Sequence, residues 1–217
     1  MRTLADPPTM PGTRESPIAF MARSVPLAGT PGAAYVEGRG IAVEVADAAG
    51  VRFVEECLGR PAVVAFFHDR HDTPRALHAR FLHSARRENK MLTFGEGGGA
   101  ISCREGWRAD PVIVVEGLFD ALSLATCGRS SVATIGRWAP WLPDVTAGRI
   151  VWIGFDGNRP GDEAATRVAT ALSASDVGRL RPPDRCKDWN TALARHGTRR
   201  LSAWLDAALG ARPEATP

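Results

Sequence analysis

Two apolar runs in the second half of the chain each end in an acidic residue. Residues 112–115 are Val-Ile-Val-Val and precede Glu116, and residues 150–155 carry no charged side chain before Asp156. Runs without polar alternation predict strands that are covered on both faces, as in a parallel sheet with crossover helices. Because ligands of such sheets collect outside the carboxyl ends of the strands, we expect both carboxylates at one ligand-binding edge.

Amphipathic segments separate these strands. Apolar residues at helical spacing predict a helix over residues 118–127, closed by Gly128, and another over residues 162–174, with Asp162 as its N-cap. The remaining elements expected in this half are strands at 131–135 and 177–180 and helices from Thr191 and over 201–209. The alternation of strands and helices predicts an α/β domain, a parallel sheet with helices on both faces.

The first half of the chain has shorter and more mixed patterns. Residues 62–68 are rich in β-branched and aromatic side chains, and residues 79–84 form a weaker run, which together predict a small antiparallel sheet. Pro31 and Gly38 frame a short helix, and a second helix is expected over residues 43–48. We therefore expect a smaller, mixed α+β lobe with basic residues before the α/β domain.

These changes of pattern divide the chain into four parts. Residues 1–25 contain four prolines and are followed by a fifth, Pro26. With little periodicity, they predict a flexible or externally packed segment. The other three predicted parts are an N-terminal lobe at 26–106, the α/β domain at 107–197, and a C-terminal helix and tail at 198–217.

Composition narrows the class of protein. The chain has 217 residues, of which 44% are hydrophobic and 24% charged, as is typical of a globular protein. Its apolar runs are far shorter than the roughly 20 residues that span a bilayer, and its first residues lack the apolar core of a secretory signal. We therefore expect a cytoplasmic protein with no membrane partner. The net charge of +3 permits nucleic-acid binding without requiring it.

The cysteines and histidines do not form a recognisable metal motif. The four cysteines have no C-x-x-C spacing, which argues against a zinc ribbon and favours buried thiols. His68, His71 and His78 lie close together but do not match the His-Glu-x-x-His spacing of a helical zinc site. We interpret them as part of a solvated loop.

The two strand-end carboxylates favour a divalent cation instead. Like charges that lie side by side repel each other unless a cation or a shared proton relieves them. Mg²⁺ binds one or two carboxylates and keeps its remaining positions for water and phosphate. Glu116 and Asp156 therefore predict a site for Mg²⁺ or Mn²⁺.

The acidic residue after each apolar run belongs to a short motif. The first motif is Glu116-Gly117 with Asp120 four positions after the glutamate. The second is Asp156-Gly-Asn158-Arg-Pro-Gly161. Both resemble motifs of the Toprim domain, the metal-binding fold shared by bacterial-type primases, topoisomerases and certain nucleases. The resemblance implies that Glu116 and Asp156 are catalytic and that Asp120 and Asn158 join them as metal ligands.

Three further motifs resemble the catalytic core of plasmid and phage primases. Residues 187–190, Lys-Asp-Trp-Asn, resemble the K-D-x-N element that follows the Toprim sheet, and residues 29–41 resemble the segment that opens the core. Arg80 and residues 90–95 resemble the basic lobe before the Toprim part. The resemblance implies that Arg80, Lys90 and Lys187 bind nucleotide or nucleic acid.

The implied function is synthesis of short primers on single-stranded DNA from nucleoside triphosphates, by metal-dependent phosphoryl transfer. A replicative helicase or another replication protein is the expected partner. One residue departs from the family pattern, because Asn158 stands where the second aspartate of Asp-x-Asp is usual. Two alternatives therefore stay open: a catalytically weakened Toprim module that binds nucleic acid or a replication partner, and a Toprim nuclease.

Overall fold

The computed structural model of the protein describes residues 16–83 and 90–210. They fall into two compact units. Unit 1 contains the residues up to Ile101 together with Arg137–Ala139, and unit 2 contains Ser102–Gly136 and the residues from Pro140 onward. Residues 1–15 of the segment predicted as flexible (1–25) and residues 211–217 of the predicted C-terminal helix and tail (198–217) lie outside the described residues.

Unit 1 is an antiparallel sheet accompanied by three short helices. Its helices are α1 (Pro17–Arg23), α2 (Pro31–Glu37) and α3 (Val43–Ala48). Its strands are β1 (Arg52–Cys57), β2 (Arg60–His68), β3 (Pro74–Phe81) and β4 (Met91–Gly95), in the order β1-β2-β3-β4. The predicted antiparallel sheet is thus confirmed, although β3 begins five residues before the expected run at 79–84.

Helix α1 packs on one face of this sheet. Phe20 is buried in a cluster with side chains from all four strands, among them Leu77, Phe81 and Phe94. The Phe20 and Phe94 rings meet edge to face with centroids 5.4 Å apart. Residues 17–23, which the sequence assigned to the N-terminal segment, therefore contribute to the core of unit 1.

Unit 2 is an α/β sheet of five strands. Its strands are β5 (Ile101–Cys103), β6 (Val112–Val115), β7 (Ser131–Ala133), β8 (Ile150–Ile153) and β9 (Asp176–Arg179), in the order β5-β7-β6-β8-β9. Its helices are α4 (Leu118–Thr126), α5 (Leu142–Thr146), α6 (Arg159–Ala171) and α7 (Trp189–Leu209). Strand β6 runs parallel to β7 and β8, and β8 runs parallel to β9, which confirms the predicted parallel sheet.

Two helix boundaries differ from the prediction. Helix α6 begins at Arg159, and its N-cap is Asn158, whose side chain accepts a hydrogen bond from the Gly161 amide. The assignment of this cap to Asp162 was therefore wrong. The two C-terminal helices predicted separately form α7, which is interrupted where Gly197 adopts a φ of 68°. Within the described residues, no helix is both long enough and apolar enough to cross a membrane.

His78 corrects the interpretation of the histidines as a solvated loop. It lies in β3 with only 3% of its surface exposed, and its Nδ1 atom is 2.9 Å from Thr93 Oγ1 on β4. Burial lowers the pKa of His78 to about 3, and the positive charges of Arg80 and Arg137 add to the decrease. The imidazole is therefore neutral in the folded protein.

Neutral His78 makes the stability of the protein depend on pH. As the pH falls below about 6.5, the unfolded chain binds a proton at this residue but the folded chain does not, so stability decreases down to about pH 3. We expect His78→Asn to remove up to about 1.4 kcal/mol per pH unit of this dependence. Urea unfolding at pH 7.5, 6.5 and 5.5 measures it, with the exposed His71→Asn as control. Equal pH dependence in the wild type and His78→Asn would contradict this explanation.

Candidate functional site

Glu116 and Asp156 lie at the same edge of the parallel sheet in unit 2. Strands β6 and β8 are neighbours with Val114 opposite Ile153, so the residues that follow them leave the sheet together. The Gly154 amide donates to Val114 O at 2.7 Å, which continues the pairing one step beyond β8. The sheet thus brings together the two carboxylates that the sequence predicted as catalytic.

The electrostatic environment shows that these carboxylates repel each other. Burial raises the pKa of Glu116, and the negative charge of Asp156 raises it further, while Arg179, Lys187 and Arg167 oppose the increase. Lys187 Nζ lies 3.5 Å from Asp156 Oδ2. A lysine of the predicted nucleotide-binding set therefore already supplies positive charge at the acidic edge.

Asn158, a predicted metal ligand, is engaged by its own helix. Its Oδ1 atom accepts the Gly161 amide hydrogen at 2.9 Å, and its Nδ2 atom lies 3.4 Å from Asp156 Oδ2 as a donor. The amide oxygen thus caps α6, and the amide nitrogen faces the neighbouring carboxylate. Asn158 lies beside the predicted metal site but directs a donor, not an acceptor, toward Asp156.

Two other acidic residues near the start of α6 are paired with arginines. Asp162 accepts hydrogen bonds from Arg179 and Arg181, and Glu163 accepts one from Arg159. Burial alone would raise the pKa of Asp162, but the hydrogen bonds from these two arginines outweigh it and lower that pKa. These carboxylates therefore do not replace the charge that is missing at Asn158.

Asp120, the remaining predicted metal ligand, contacts the start of α7. Its Oδ1 atom accepts the amide hydrogens of Trp189 at 2.9 Å and Asn190 at 3.4 Å. Burial raises the pKa of Asp120 to about 7, Asp188 and Asp156 add to the increase, and the two amide hydrogen bonds oppose it. These two hydrogen bonds, which connect α4 with the start of α7, explain the position of the Asp120 carboxyl group.

The K-D-x-N segment completes this connection. Asp188 is the N-cap of α7 and accepts from the Thr191 amide, and Asn190 Nδ2 donates to Ser123 Oγ on α4 at 3.1 Å. The fully buried Trp189 donates from Nε1 to Gly154 O at 2.7 Å, just beyond β8. Trp189 is thus a core residue, and the segment attaches α7 to the acidic edge of the sheet.

Two residues of this edge were not found from the sequence. The Ile135 amide donates to Glu116 O at 2.7 Å, and Ile135 holds a φ of 47°, a left-handed conformation that β-branched residues rarely adopt. Arg179, the last residue of β9, contacts the main chain around Asp156. Neither residue belongs to a recognisable motif.

Arg80 lies on β3 and Lys90 immediately precedes β4, both in unit 1. Arg80 is opposite Met91, the residue after Lys90, and the Phe81 amide donates to Lys90 O at 3.1 Å. The Tyr35 hydroxyl accepts hydrogen bonds from Arg80 Nε and from Arg39 Nη2, both at 3.0 Å. The structure therefore brings the main chain at Lys90 next to the end of β3, and it adds Tyr35 and Arg39 to the surroundings of Arg80.

The acidic edge fits a hard divalent cation. Two carboxylates and no sulfur or imidazole ligand suit Mg²⁺ or Mn²⁺, which complete their coordination with water and phosphate oxygens. The raised pKa of Glu116 and the proximity of Lys187 to Asp156 both indicate negative charge that a cation would relieve. Among residues 16–83 and 90–210, no group of three or more His, Cys, Asp or Glu side chains is arranged to hold a metal ion.

The hydrogen bonds of Asp120 predict a structural effect of its replacement. We expect Asp120→Ala to lower the free energy of unfolding by about 1–3 kcal/mol, because two buried amides lose their acceptor, and Asp120→Asn to lower it by less. Urea unfolding measures this effect, and titration with Mn²⁺ followed by electron paramagnetic resonance measures metal binding. We expect Asp120→Asn to bind Mn²⁺ as the wild type does. A stable Asp120→Asn protein with about 10-fold weaker binding would instead make Asp120 a metal ligand.

Two families match the chain in sequence. Residues 113–193 match a Toprim-like family, and residues 12–99 match a domain of unknown function (DUF7146). A comparison with curated proteins finds no match.

Solved structures of primases have a similar fold. A DNA primase domain from Pseudomonas aeruginosa is 20% identical, with 86% of this chain and 75% of that chain covered and a TM-score of 0.63. The primase fragment of the bacteriophage T7 primase-helicase protein is 21% identical, with 77% and 71% covered and a TM-score of 0.57. The catalytic domain of a DnaG primase, solved with single-stranded DNA, is 19% identical, with 92% and 74% covered and a TM-score of 0.61. Residues 113–193 therefore form a Toprim-like domain, in a chain whose fold resembles that of primase catalytic cores.

Proposed function

We propose that the protein is a primase-like nucleotidyltransferase that synthesises short primers on single-stranded DNA by metal-dependent phosphoryl transfer. The observation that carries the proposal is the pair Glu116 and Asp156 at one edge of the Toprim sheet, with Lys187 beside Asp156. The likeness to primase catalytic cores, which covers both units of the chain, favours this activity over that of other Toprim proteins.

Each residue has a role that its position supports. Glu116 and Asp156 would hold Mg²⁺ or Mn²⁺, which when bound supplies charge neutralisation at a triphosphate and alignment for in-line displacement. Lys187, whose side chain is 56% exposed, can turn from Asp156 to a nucleotide phosphate. Arg80 and Lys90 would bind phosphates of the nucleotide or of the single-stranded template.

A replicative helicase or another replication protein is the partner that we propose. One similar structure is a fragment of a primase-helicase protein, in which the two activities share a chain. The 217-residue sequence contains no phosphate-binding loop of the Walker spacing.

A catalytically weakened Toprim module is the second candidate. The specific observation in its favour is Asn158, which contributes no negative charge and uses its oxygen to cap α6. Such a module would bind nucleic acid or a replication partner through the same fold. A Toprim nuclease would need the same acidic edge and is tested with the same variants.

Primer synthesis by the purified protein tests the proposal. A single-stranded template, nucleoside triphosphates and Mg²⁺ or Mn²⁺ should give short labelled products, and Glu116→Gln should reduce them by about 100-fold or more, as expected when a group that stabilises transition-state charge is lost. Glu163→Gln removes an exposed carboxylate paired with Arg159 and is the matched control. Wild-type protein that binds template but makes no product would favour the weakened module, and template cleavage would favour the nuclease.

Asn158→Asp tests how the missing charge affects metal binding. The aspartate keeps an acceptor for the Gly161 amide but places a second carboxylate near Asp156. Without metal we expect stability to fall by on the order of 1 kcal/mol through repulsion. With Mg²⁺ we expect a larger rise in melting temperature than in the wild type, and activity at lower Mg²⁺ concentration.

Thermal melts at increasing Mg²⁺ concentration provide the measurement for this variant. Asn158→Ser is the control, because serine also caps helices but adds no charge. A Mg²⁺ response of Asn158→Asp equal to that of the wild type would remove position 158 from the metal site.

A further inference from the structure

The turn that carries Asp156 contains four consecutive main-chain carbonyl groups, those of residues 153–156. Strand β8 ends at Ile153, whose carbonyl accepts the Leu180 amide hydrogen at 3.0 Å, and the three carbonyls that follow it lie beyond the strand and need other donors. Trp189 Nε1 donates to Gly154 O at 2.7 Å. The other three carbonyls of this turn are all bound by Arg179.

Arg179 binds this turn with both terminal nitrogens of its guanidinium group. Nη1 donates to Ile153 O and to Phe155 O at 3.0 Å each, and Nη2 donates to Asp156 O at 2.7 Å. The side chain is only 11% exposed, and its planar group presents donors in a rigid fork. One side chain therefore fixes the main chain on both sides of Gly154 and at Asp156 itself.

Asp162 holds the guanidinium in this position. Its Oδ1 atom accepts from Arg179 Nε at 3.1 Å and from Nη2 at 3.0 Å. Arg181 contacts the same carboxylate, but its side chain is 59% exposed. A Cβ added at Gly161 would clash with Asp156 O, so the start of α6 lies directly against this carbonyl. The turn is thus bound by Arg179 and packs against the start of α6.

We propose that Arg179 is a positioning residue for the metal site, which holds the Asp156 main chain so that its carboxylate and that of Glu116 bind one divalent cation. This inference rests on the proposed function, because it takes the two carboxylates as metal ligands. The positive charge of Arg179 by itself opposes binding of a cation nearby. If Arg179 increases metal affinity, it must do so by holding the ligands in place. Replacing Arg179 would then weaken metal binding, whereas a pure charge effect would strengthen it.

Mn²⁺ binding by the full-length protein at pH 7.5, measured by electron paramagnetic resonance of free Mn²⁺, tests this role. We expect Arg179→Met to weaken binding by about 10- to 100-fold, the usual effect of losing a group that orients metal ligands. Arg179→Lys keeps the charge but lacks the planar fork, and we expect it to weaken binding by about 10-fold. Arg181→Met removes the other arginine bound to Asp162 and is the matched control, with binding within about twofold of the wild type.

Asp162→Ala provides a variant that is less disruptive than loss of a buried arginine. It removes the carboxylate that anchors Arg179 but leaves a good helix former in the first turn of α6, so we expect a folded protein with severalfold weaker Mn²⁺ binding. Circular dichroism and urea unfolding without Mn²⁺ identify the variants that are folded at the measuring temperature.

The possible outcomes separate the two proposals. Folded Arg179 and Asp162 variants that bind Mn²⁺ as tightly as the wild type, or more tightly, would overturn the positioning role and leave the proposed function intact. Wild-type protein whose Mn²⁺ binding is undetectable, or is unchanged by Glu116→Gln, would overturn the proposed metal site and the positioning role with it.

Discussion

The repulsion between Glu116 and Asp156 is the constraint around which unit 2 is organised. Parallel pairing of β6 and β8 brings the two carboxylates to one edge, where burial of Glu116 strengthens the effect of each charge on the other. The protein compensates with cations, namely Lys187 at Asp156 and the buried Arg179 close by. A divalent ion would take over part of this compensation, so metal binding and the stability of unit 2 are linked.

The two carboxylates are held by main-chain contacts on both sides of the edge. At Glu116, the carbonyl accepts from Ile135, which keeps an unfavourable left-handed conformation to make this bond. At Asp156, the carbonyl is bound by Arg179. The K-D-x-N segment contributes through Trp189, whose indole binds the carbonyl two residues earlier. A motif recognised for its charged residues thus also has a structural role that depends on its tryptophan.

The sequence predicted the sheet and its acidic edge because both follow from local patterns. An uninterrupted apolar run gives a buried strand, and the residue after it must lie at the strand end. The sequence also contains a signal for the correct N-cap of α6, which the prediction of Asp162 missed. Pro160 favours the first turn of a helix and thus indicates a helix that begins before Asp162. The contacts of Arg179 could not be predicted from the sequence, because they involve three carbonyls and one carboxylate that come close to its side chain only in the folded chain. Burial of His78 likewise depends on what covers the second face of β3, which the alternation along the strand does not reveal.

Asn158 limits the negative charge at the edge that carries Glu116 and Asp156 when no cation is bound there. Its Nδ2 atom faces Asp156 as a donor, where an aspartate would place a third negative charge at the edge. The neutral amide therefore reduces repulsion in the metal-free protein while keeping the cap of α6. The same change lowers the charge available to a metal ion, and an edge with two carboxylates binds fewer ions, or binds them more weakly, than an edge with three. Fold stability and the proposed metal affinity would thus change in opposite directions when this one residue is replaced. The Toprim-like fold of the chain therefore does not by itself require three carboxylates at the acidic edge.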